Sequence, residues 1–366
     1  MDFTRLVEPA GLVYGRAAQE AVKAGNALPL AGGPAAFTLV DLIEGYTRSG
    51  FMPVAAVPAG WQAELARVVA APVGGMVPLG AQVMGILNLT PDSFSDGGVH
   101  AQAQHAVAAG LEQVRAGAGL LDLGAESTRP GAALVTPQQE WARLEEALCA
   151  LRAQAPNTVL SIDTRNSFVM EQALNAGANV INDVSALMHD PQALPLLVQH
   201  TCGVMLMHMR GTPQTMEQHT HYTDIGYDVV RELGQCVQRA VAGGIDPARL
   251  MVDPGFGFAK TTEQNMQLLA RLPLLANLGC RVVVGVSRKR MIGAVTGAQN
   301  PARRDPGTQA ASLCGLALKG SILRVHDVGA WCRPLKFGSL SITYKNCRIF
   351  CGYGSVTPQI VLGTCL

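Results

Sequence analysis

Between Gln82 and Val328 the chain repeats one pattern eight times, and this alternation restricts its fold more than any other feature. Short apolar runs that end on a polar residue or glycine occupy Gln82–Leu89, Gly119–Gly124, Val159–Asp163, Val180–Val184, Gly203–His208, Leu250–Asp253, Arg281–Ser287 and Ser321–Val328. Amphipathic stretches separate them, among them Ala101–Ala116, Pro137–Ala153, Phe168–Ala176, Asp224–Ala242 and Thr308–Lys319. Strands that read as continuous apolar runs and alternate with helices build a parallel sheet covered on its outer face. Eight such units over a stretch near the ~250 residues typical of the fold predict a (β/α)8 TIM barrel. An open doubly wound sheet usually has fewer units and carries a Gly-rich dinucleotide turn after its first strand. No such turn follows Leu89.

The flanks break this rhythm. Residues 1–75 are rich in Ala, Gly and Pro and read as an N-terminal extension or small cap, with helices expected at Phe37–Arg48 and Trp61–Val69 and no motif that carries chemistry. Residues 76–328 form the barrel unit. Residues 329–366 contain no Asp or Glu and no traceable 3.6-residue apolar face, so an irregular tail without a clear eighth helix is expected. The balance of 28 basic against 27 acidic residues argues against a nucleic-acid surface spread over the chain. The uncharged run from Val68 to Pro91 is interrupted by prolines and glycines, which speaks against a membrane span. Asp2, Arg5 and Glu8 stand where a signal peptide needs its apolar core, so a cytoplasmic location is expected. Cys149, Cys202, Cys236, Cys280 and Cys314 are scattered singly, as small buried hydrophobes are, and Cys332, Cys347, Cys351 and Cys365 crowd the tail without completing a zinc set.

In a (β/α)8 barrel the active site lies at the C-terminal ends of the strands. Read in order, those ends carry Asn88, Asp122, Asp163, Asn182 with Asp183, His208, Asp253, Ser287 with Lys289, and Arg324 with His326. Carboxylates accept from ring N–H groups and a lysine donates to ring N or O, so the set suits a flat heterocycle with alternating donors and acceptors. Any one of these residues could equally cap a strand; eight strand ends together favour a site. Two loops add to the mouth. Leu89–Gly98 is a long polar turn with glycine hinges, suited to a mobile lid, and Glu126–Gly131 brings a hydroxyl and a guanidinium. Arg324 and His326, two apart on one strand face, form with Thr128 an anion site suited to phosphate or pyrophosphate.

The runs LNLTPDSFSDGG (Leu87–Gly98), ESTRPG (Glu126–Gly131), SIDT (Ser161–Thr164), INDV (Ile181–Val184), MHMRG (Met207–Gly211), DPGFGF (Asp253–Phe258), SRK (Ser287–Lys289) and RVHDV (Arg324–Val328) resemble the dihydropteroate synthase family, in order and one at each strand. The resemblance implies a (β/α)8 enzyme of folate synthesis that joins 6-hydroxymethyl-7,8-dihydropterin pyrophosphate to p-aminobenzoate and releases pyrophosphate, with Mg²⁺ as cofactor. It implies that Asp163, Asn182, Asp253 and Lys289 hold the pterin, and that Thr128, Arg324, His326 and Asn88 hold the pyrophosphate, Asn88 through the metal. Phe94, Arg129, Pro130, Phe258 and Ser287 would shape the p-aminobenzoate pocket, which is the target of sulfonamides. Catalysis would be leaving-group stabilisation, with Arg324, His326 and Lys289 as the catalytic residues, and no enzyme nucleophile is needed.

Two other readings stand beside it. A pterin-barrel methyltransferase acting on methyltetrahydrofolate shares acidic pterin anchors but needs no pyrophosphate site, against which ESTRPG and RVHDV argue. A binding-only relative with a replaced C-terminus is suggested by the tail after Val328 alone. The family forms homodimers in which late helices take part, so with this tail association is expected to be weakened, and truncation at Val328 is expected to change stability little. His219 and His221 read as loop residues without a third ligand, and His208 as a structural or pocket-wall residue rather than a base. Met207 would line the pterin slot.

Overall fold

The computed structural model describes residues 3–73, 77–78, 80–90, 98–127 and 135–331. The N-terminal segment is mainly an antiparallel sheet. Strand β1 (Arg5–Tyr14) pairs with β3 (Ala35–Glu44) along its whole length, and the two-residue strands β2 (Leu28–Pro29), β4 (Thr47–Arg48) and β5 (Met52–Pro53) also pair with β3. Helix α1 (Gly15–Lys23) follows β1, and α2 (Gln62–Val69) closes the segment where a helix is expected from Trp61 to Val69. The helix expected at Phe37–Arg48 is instead strand β3 as far as Glu44, then a turn and the short strand β4. That stretch is apolar on both faces and carries Thr38, Val40 and Ile43, so its periodicity cannot separate helix from strand, and pairing with β1 decides.

This sheet lies against the barrel wall. Asn277, fully buried, accepts the Val7 N–H at 2.9 Å and donates to the Val7 carbonyl at 2.8 Å, as a neighbouring strand would. Glu8 takes both Nε and Nη2 of Arg271, at 2.6 and 2.8 Å, and Tyr46 donates to Asp228 at 2.8 Å. Gly234 lets the Phe3 ring approach so closely that a Cβ there would lie 2.4 Å from it. One hydrophobic core runs from Leu6, Val7 and Phe37 into the outward faces of the barrel strands.

The barrel is closed and parallel, with the order β6 (Gln82–Asn88), β7 (Leu120–Gly124), β8 (Val159–Asp163), β9 (Val180–Asp183), β10 (Gly203–Met207), β11 (Leu250–Asp253), β12 (Arg281–Val284) and β13 (Ile322–Val325), β13 pairing back to β6. The strand period of two divides each strand between two environments. Met84, Leu120, Val180, Met205, Met251, Val283 and Ile322 form a separate apolar layer inside the barrel. Two positions further along the same inward faces stand Ile86, Asp122, Asn182, Met207, Asp253, Gly285 and Arg324. The barrel interior is thus apolar below and polar at the mouth. Its lower end is closed by the buried Arg281, which donates to the carbonyls of Gly320 and Val77 at 2.7 Å each.

The outer layer comprises α3 (Gly98–Ala116), α4 (Pro137–Gln154), α5 (Ser167–Asn175), α6 (Ala193–Gln199), α7 (Ile225–Ala242), α8 (Thr262–Ala270), α9 (Arg290–Thr296) and α10 (Asp305–Ser312). Capping boxes start α4 (Thr136 with Gln139) and α8 (Thr261 with Gln264), and Asp224 caps α7. The helix expected at Thr308–Lys319 begins earlier, with Pro306 in its first turn, and tightens into a 3₁₀ segment at Leu313–Ala317. Helical character also does not stop at Val328: residues 328–331 form a turn of helix, Asp327 Oδ1 accepts the Ala330 N–H at 3.0 Å, and Trp331 is buried beside Val328 in the main core. An acidic cap and an i, i+3 apolar pair suffice for this turn. Residues 332–366 lie outside the described residues. Cys149 and Cys314 are exposed, contrary to the expectation of buried thiols; both lie on helical segments of the outer layer. Among the described residues no helix is long and apolar enough to cross a membrane.

Candidate active site

Asp122 organises the floor of the mouth. Fully buried on β7, it accepts from Ser161 Oγ at 2.6 Å, from Asn182 Nδ2 at 3.0 Å and from Arg324 Nε at 2.7 Å. Arg324 Nη2 reaches on to Asp163 at 2.9 Å. The guanidinium therefore bridges two carboxylates across the barrel, and among the described residues Nη1 has no hydrogen-bond partner. Because the Asn182 amide donates to Asp122, its carbonyl is the group left to face the cavity. Burial pushes the Asp163 carboxyl up to about 7, against the pull of Arg324.

On the opposite wall the run Asp253–Phe258 forms a loop pinned from several sides. Asp253 Oδ1 accepts the Gly255 N–H at 2.7 Å. Gly255 has φ +68°, and a Cβ there would lie 1.9 Å from the His208 carbonyl, so only glycine fits. Lys289 donates to the Phe256 carbonyl, and its Nζ lies 4.9 Å from the centroid of the Phe258 ring. Burial lowers the Lys289 ammonium to about 8 and raises the Asp253 carboxyl, each shift opposed by the other's charge. Gly285 stands between them without a side chain: a Cβ there would lie 3.2 Å from Asp253 Oδ2 and 3.9 Å from Lys289 Nζ, so the close approach of the two groups requires glycine.

Ser287 and His326 stand together at the rim. Ser287 Oγ accepts the His326 backbone N–H at 3.2 Å and lies 2.9 Å from its Nδ1. If the hydroxyl donates to Nδ1, the ring proton sits on Nε2, facing away from the serine. Burial, with Arg288 and Arg324 nearby, lowers His326 to about 4, so the ring is neutral at pH 7. Between Ser287 and Lys289, Arg288 has φ +56°. Its side chain holds Asp305 through two bonds of 2.8 and 2.7 Å, its N–H donates to Thr308, and Arg304 donates to its carbonyl. That cross-bracing maintains the strained turn which presents Ser287 and Lys289 on one side.

Asp163, Asn182, Asp253, Phe258, Ser287, Lys289, Arg324 and His326 thus meet at one end of the barrel, with Asn88 exposed at the end of β6. Phe94, Thr128, Arg129 and Pro130 lie outside the described residues. Asp183 and His208 do not face the cavity: on their strands they follow inward residues and point outward, Asp183 to the N–H groups of Ser185 and Leu187, His208 to Glu232. The side chains of His219 and His221 are exposed on a loop. Lys260 escaped the sequence reading of the site, and so did the role of Asp122. Asp122 was legible as a strand end but not as the hub, because its partners lie on three other strands. Lys260, two residues beyond DPGFGF, carries no signal beyond being a lysine in an apolar setting.

A sequence profile of the pterin binding enzyme family matches residues 84–326. The dihydropteroate synthase of Neisseria meningitidis serogroup C is 45% identical over 259 residues, which is 70% of this chain and 90% of that protein. The structure of Xanthomonas albilineans dihydropteroate synthase with 4-aminobenzoic acid superposes with a TM-score of 0.67 at 45% identity, covering 71% of this chain and 93% of that one. The same enzyme in complex with 7,8-dihydropteroate gives a TM-score of 0.64 at 42% identity and the same coverage. With the strand-end motifs, the closed barrel and these relatives in agreement, the chain belongs to the dihydropteroate synthase family, the transferases that make dihydropteroate in folate synthesis.

Proposed function

We propose that the pterin ring binds at the barrel mouth above Gly285, against Asp253 and Lys289, and that Arg324 and His326 receive the pyrophosphate leaving group. The carrying observation is the polar layer at the barrel mouth: carboxylates on β7, β8 and β11, an amide carbonyl on β9 and an ammonium beyond β12, above an apolar floor. Asp253 would accept from the amino and ring N–H groups, Lys289 would donate to ring oxygen or nitrogen, and the carbonyl of Asn182 and Asp163 would complete the edge. The amine nitrogen of p-aminobenzoate attacks the pterin methylene, the C–O bond breaks with its electron pair going to pyrophosphate, and the nitrogen then sheds a proton. The work of the chain is to orient the two reactants and to meet the charge that develops on the leaving oxygens. Arg324 Nη1 and the His326 Nε2–H are the donors available for it.

Mg²⁺ fits the residues present. Asn88 offers one hard amide oxygen at the exposed end of β6, and among the described residues no cluster of His, Cys, Asp or Glu competes as a metal site. An ion with few protein ligands that takes the rest from phosphate oxygens and water is typical of magnesium. When bound, it would supply charge neutralisation on the pyrophosphate. Thr128 would join this anion site. Arg129, Pro130 and Phe94, with Phe258 and Ser287, would line the p-aminobenzoate pocket where sulfonamides compete. We further propose a cytoplasmic enzyme, with residues 1–75 as a side lobe to the barrel unit 76–328.

Pyrophosphate release with and without p-aminobenzoate tests the reaction. For the roles, Lys289→Ala and Asp253→Ala should weaken pterin binding by ~1–3 kcal/mol in calorimetric titration, because each leaves a buried partner unpaired. Arg324→Ala and His326→Ala should instead lower turnover more than pterin affinity. Equal losses in both quantities would reduce Arg324 and His326 to substrate binders.

A further inference from the structure

Behind the pterin wall, outside the barrel bore, lies a polar cluster that the reaction as described does not use. Lys260 is buried, and its Nζ has three neighbours at 3.0 Å: the carbonyls of Gly255 and Phe258, and Nδ1 of His208. On the far side of the imidazole, Nε2 lies 2.9 Å from Glu232 Oε2 on α7, and Arg210 holds the same carboxylate through Nε at 2.9 Å. One protonation pattern satisfies every contact. An ammonium donates its three protons to two carbonyls and Nδ1; the imidazole is neutral, with its proton on Nε2; and that proton goes to ionised Glu232. The two carbonyls that Lys260 holds belong to the loop whose opposite side carries Asp253 and Phe258. Lys289 grips the same loop at the Phe256 carbonyl from the cavity side. The loop is therefore held between two ammonium groups, one of which lies outside the cavity.

We propose that Lys260, braced by His208 and Glu232, is a positioning residue that holds the Asp253–Phe258 loop at the height where Asp253 and Phe258 meet the two substrates. This rests on the reading above that Asp253 and Phe258 line the substrate slot. Lys260 can donate three bonds only while it is an ammonium. Burial lowers it to about 7; Asp253 and Glu232 draw it back up, and Lys289 and Arg210 push it further down. The neighbouring imidazole is held near 4 and so stays an acceptor throughout the neutral range. The clamp is accordingly sensitive to the charge on Glu232, a residue that touches neither substrate.

The test uses the full chain and steady-state kinetics with dihydropterin pyrophosphate and p-aminobenzoate. Lys260→Met should raise the KM for the pterin substrate about tenfold or more and leave kcat within about threefold, because Arg324 and His326 are untouched. A variant that merely folded in part would lower kcat at unchanged KM, and that result overturns the proposal. Glu232→Gln, at a partly exposed position, removes the charge that favours the ammonium, so the alkaline limb of pterin affinity should move to lower pH by ~0.5 unit. An unmoved limb also overturns it, and decides the matter should Lys260→Met fail to fold. Asp253→Asn separates the two readings: if it leaves pterin affinity unchanged, the slot assignment fails; if it weakens affinity while the Lys260 and Glu232 variants behave as wild type, only the clamp fails.

Discussion

At the scale of single residues the site is a problem in placing charge. Asp122 ends with three donors and Arg324 with two carboxylates, an arrangement in which no charge at the floor is left alone. Asp163 is the member out of balance. Its folded carboxyl holds a proton up to about pH 7, whereas in the unfolded chain it does so only to about 4. The folded state therefore binds the proton more tightly, and the stability this contributes is fully present below about pH 4 and is lost as pH rises through 7. Asparagine removes the titration. The melting temperature of Asp163→Asn relative to the unaltered chain should therefore climb between pH 4 and pH 7.5. A flat difference would mean that Arg324 keeps the carboxylate ionised across the range.

At the scale of elements, the strands supply direction and the turns after them supply aim. Period two sends Arg324 and His326 into the mouth and Leu323 and Val325 into the outer core. Past β12 this rule ends, and the Ser287–Lys289 turn depends on the positive φ of Arg288 and its brace to Asp305. Since that ion pair is partly exposed, Asp305→Ala should cost at most about 1 kcal/mol in a denaturation experiment. Because Ser287 and Lys289 share the turn, kcat/KM should fall several-fold more than that stability change suggests. Activity that tracks stability would show that the turn holds its shape without the brace.

At the scale of the molecule, the barrel is sealed along its flank and at its seam by parts outside the eightfold repeat. The N-terminal sheet shares its core with the barrel wall through Phe3, Val7 and Asn277. At the seam between β13 and β6, the outward residues Val83, Leu87, Leu323 and Val325 are buried in the same core as Val328 and Trp331. Gln309 also donates to the Ala330 carbonyl at 3.0 Å. The expectation that truncation at Val328 changes little is therefore replaced. Ending the chain there removes a buried tryptophan, and the loss should approach the ~3–5 kcal/mol of a Trp→Ala change in a core. Ending it after Trp331 should cost much less. Chemical denaturation of the two truncated chains compares them directly, and equal stabilities would show that Trp331 adds little.

By itself the sequence determined the barrel and the identity of most of its mouth. Eight apolar runs at near-regular spacing leave few ways to bury their faces, and a residue at the end of a parallel strand has only one place to go. The sequence reading counts Asp183 and His208 among the strand ends of the mouth, and the structure turns both away from it, each following an inward residue on the period of two. Tertiary structure alone decided which charges pair. Asp122 meets Arg324 some two hundred positions away in the chain, and Lys260 finds its acceptors on a neighbouring strand and in its own loop. It also decided that Phe37–Glu44 is a strand, since an apolar stretch with no clear period takes the form its partner can pair with, and that partner is β1. Periodicity records which side of an element is buried; it holds no information about what waits there.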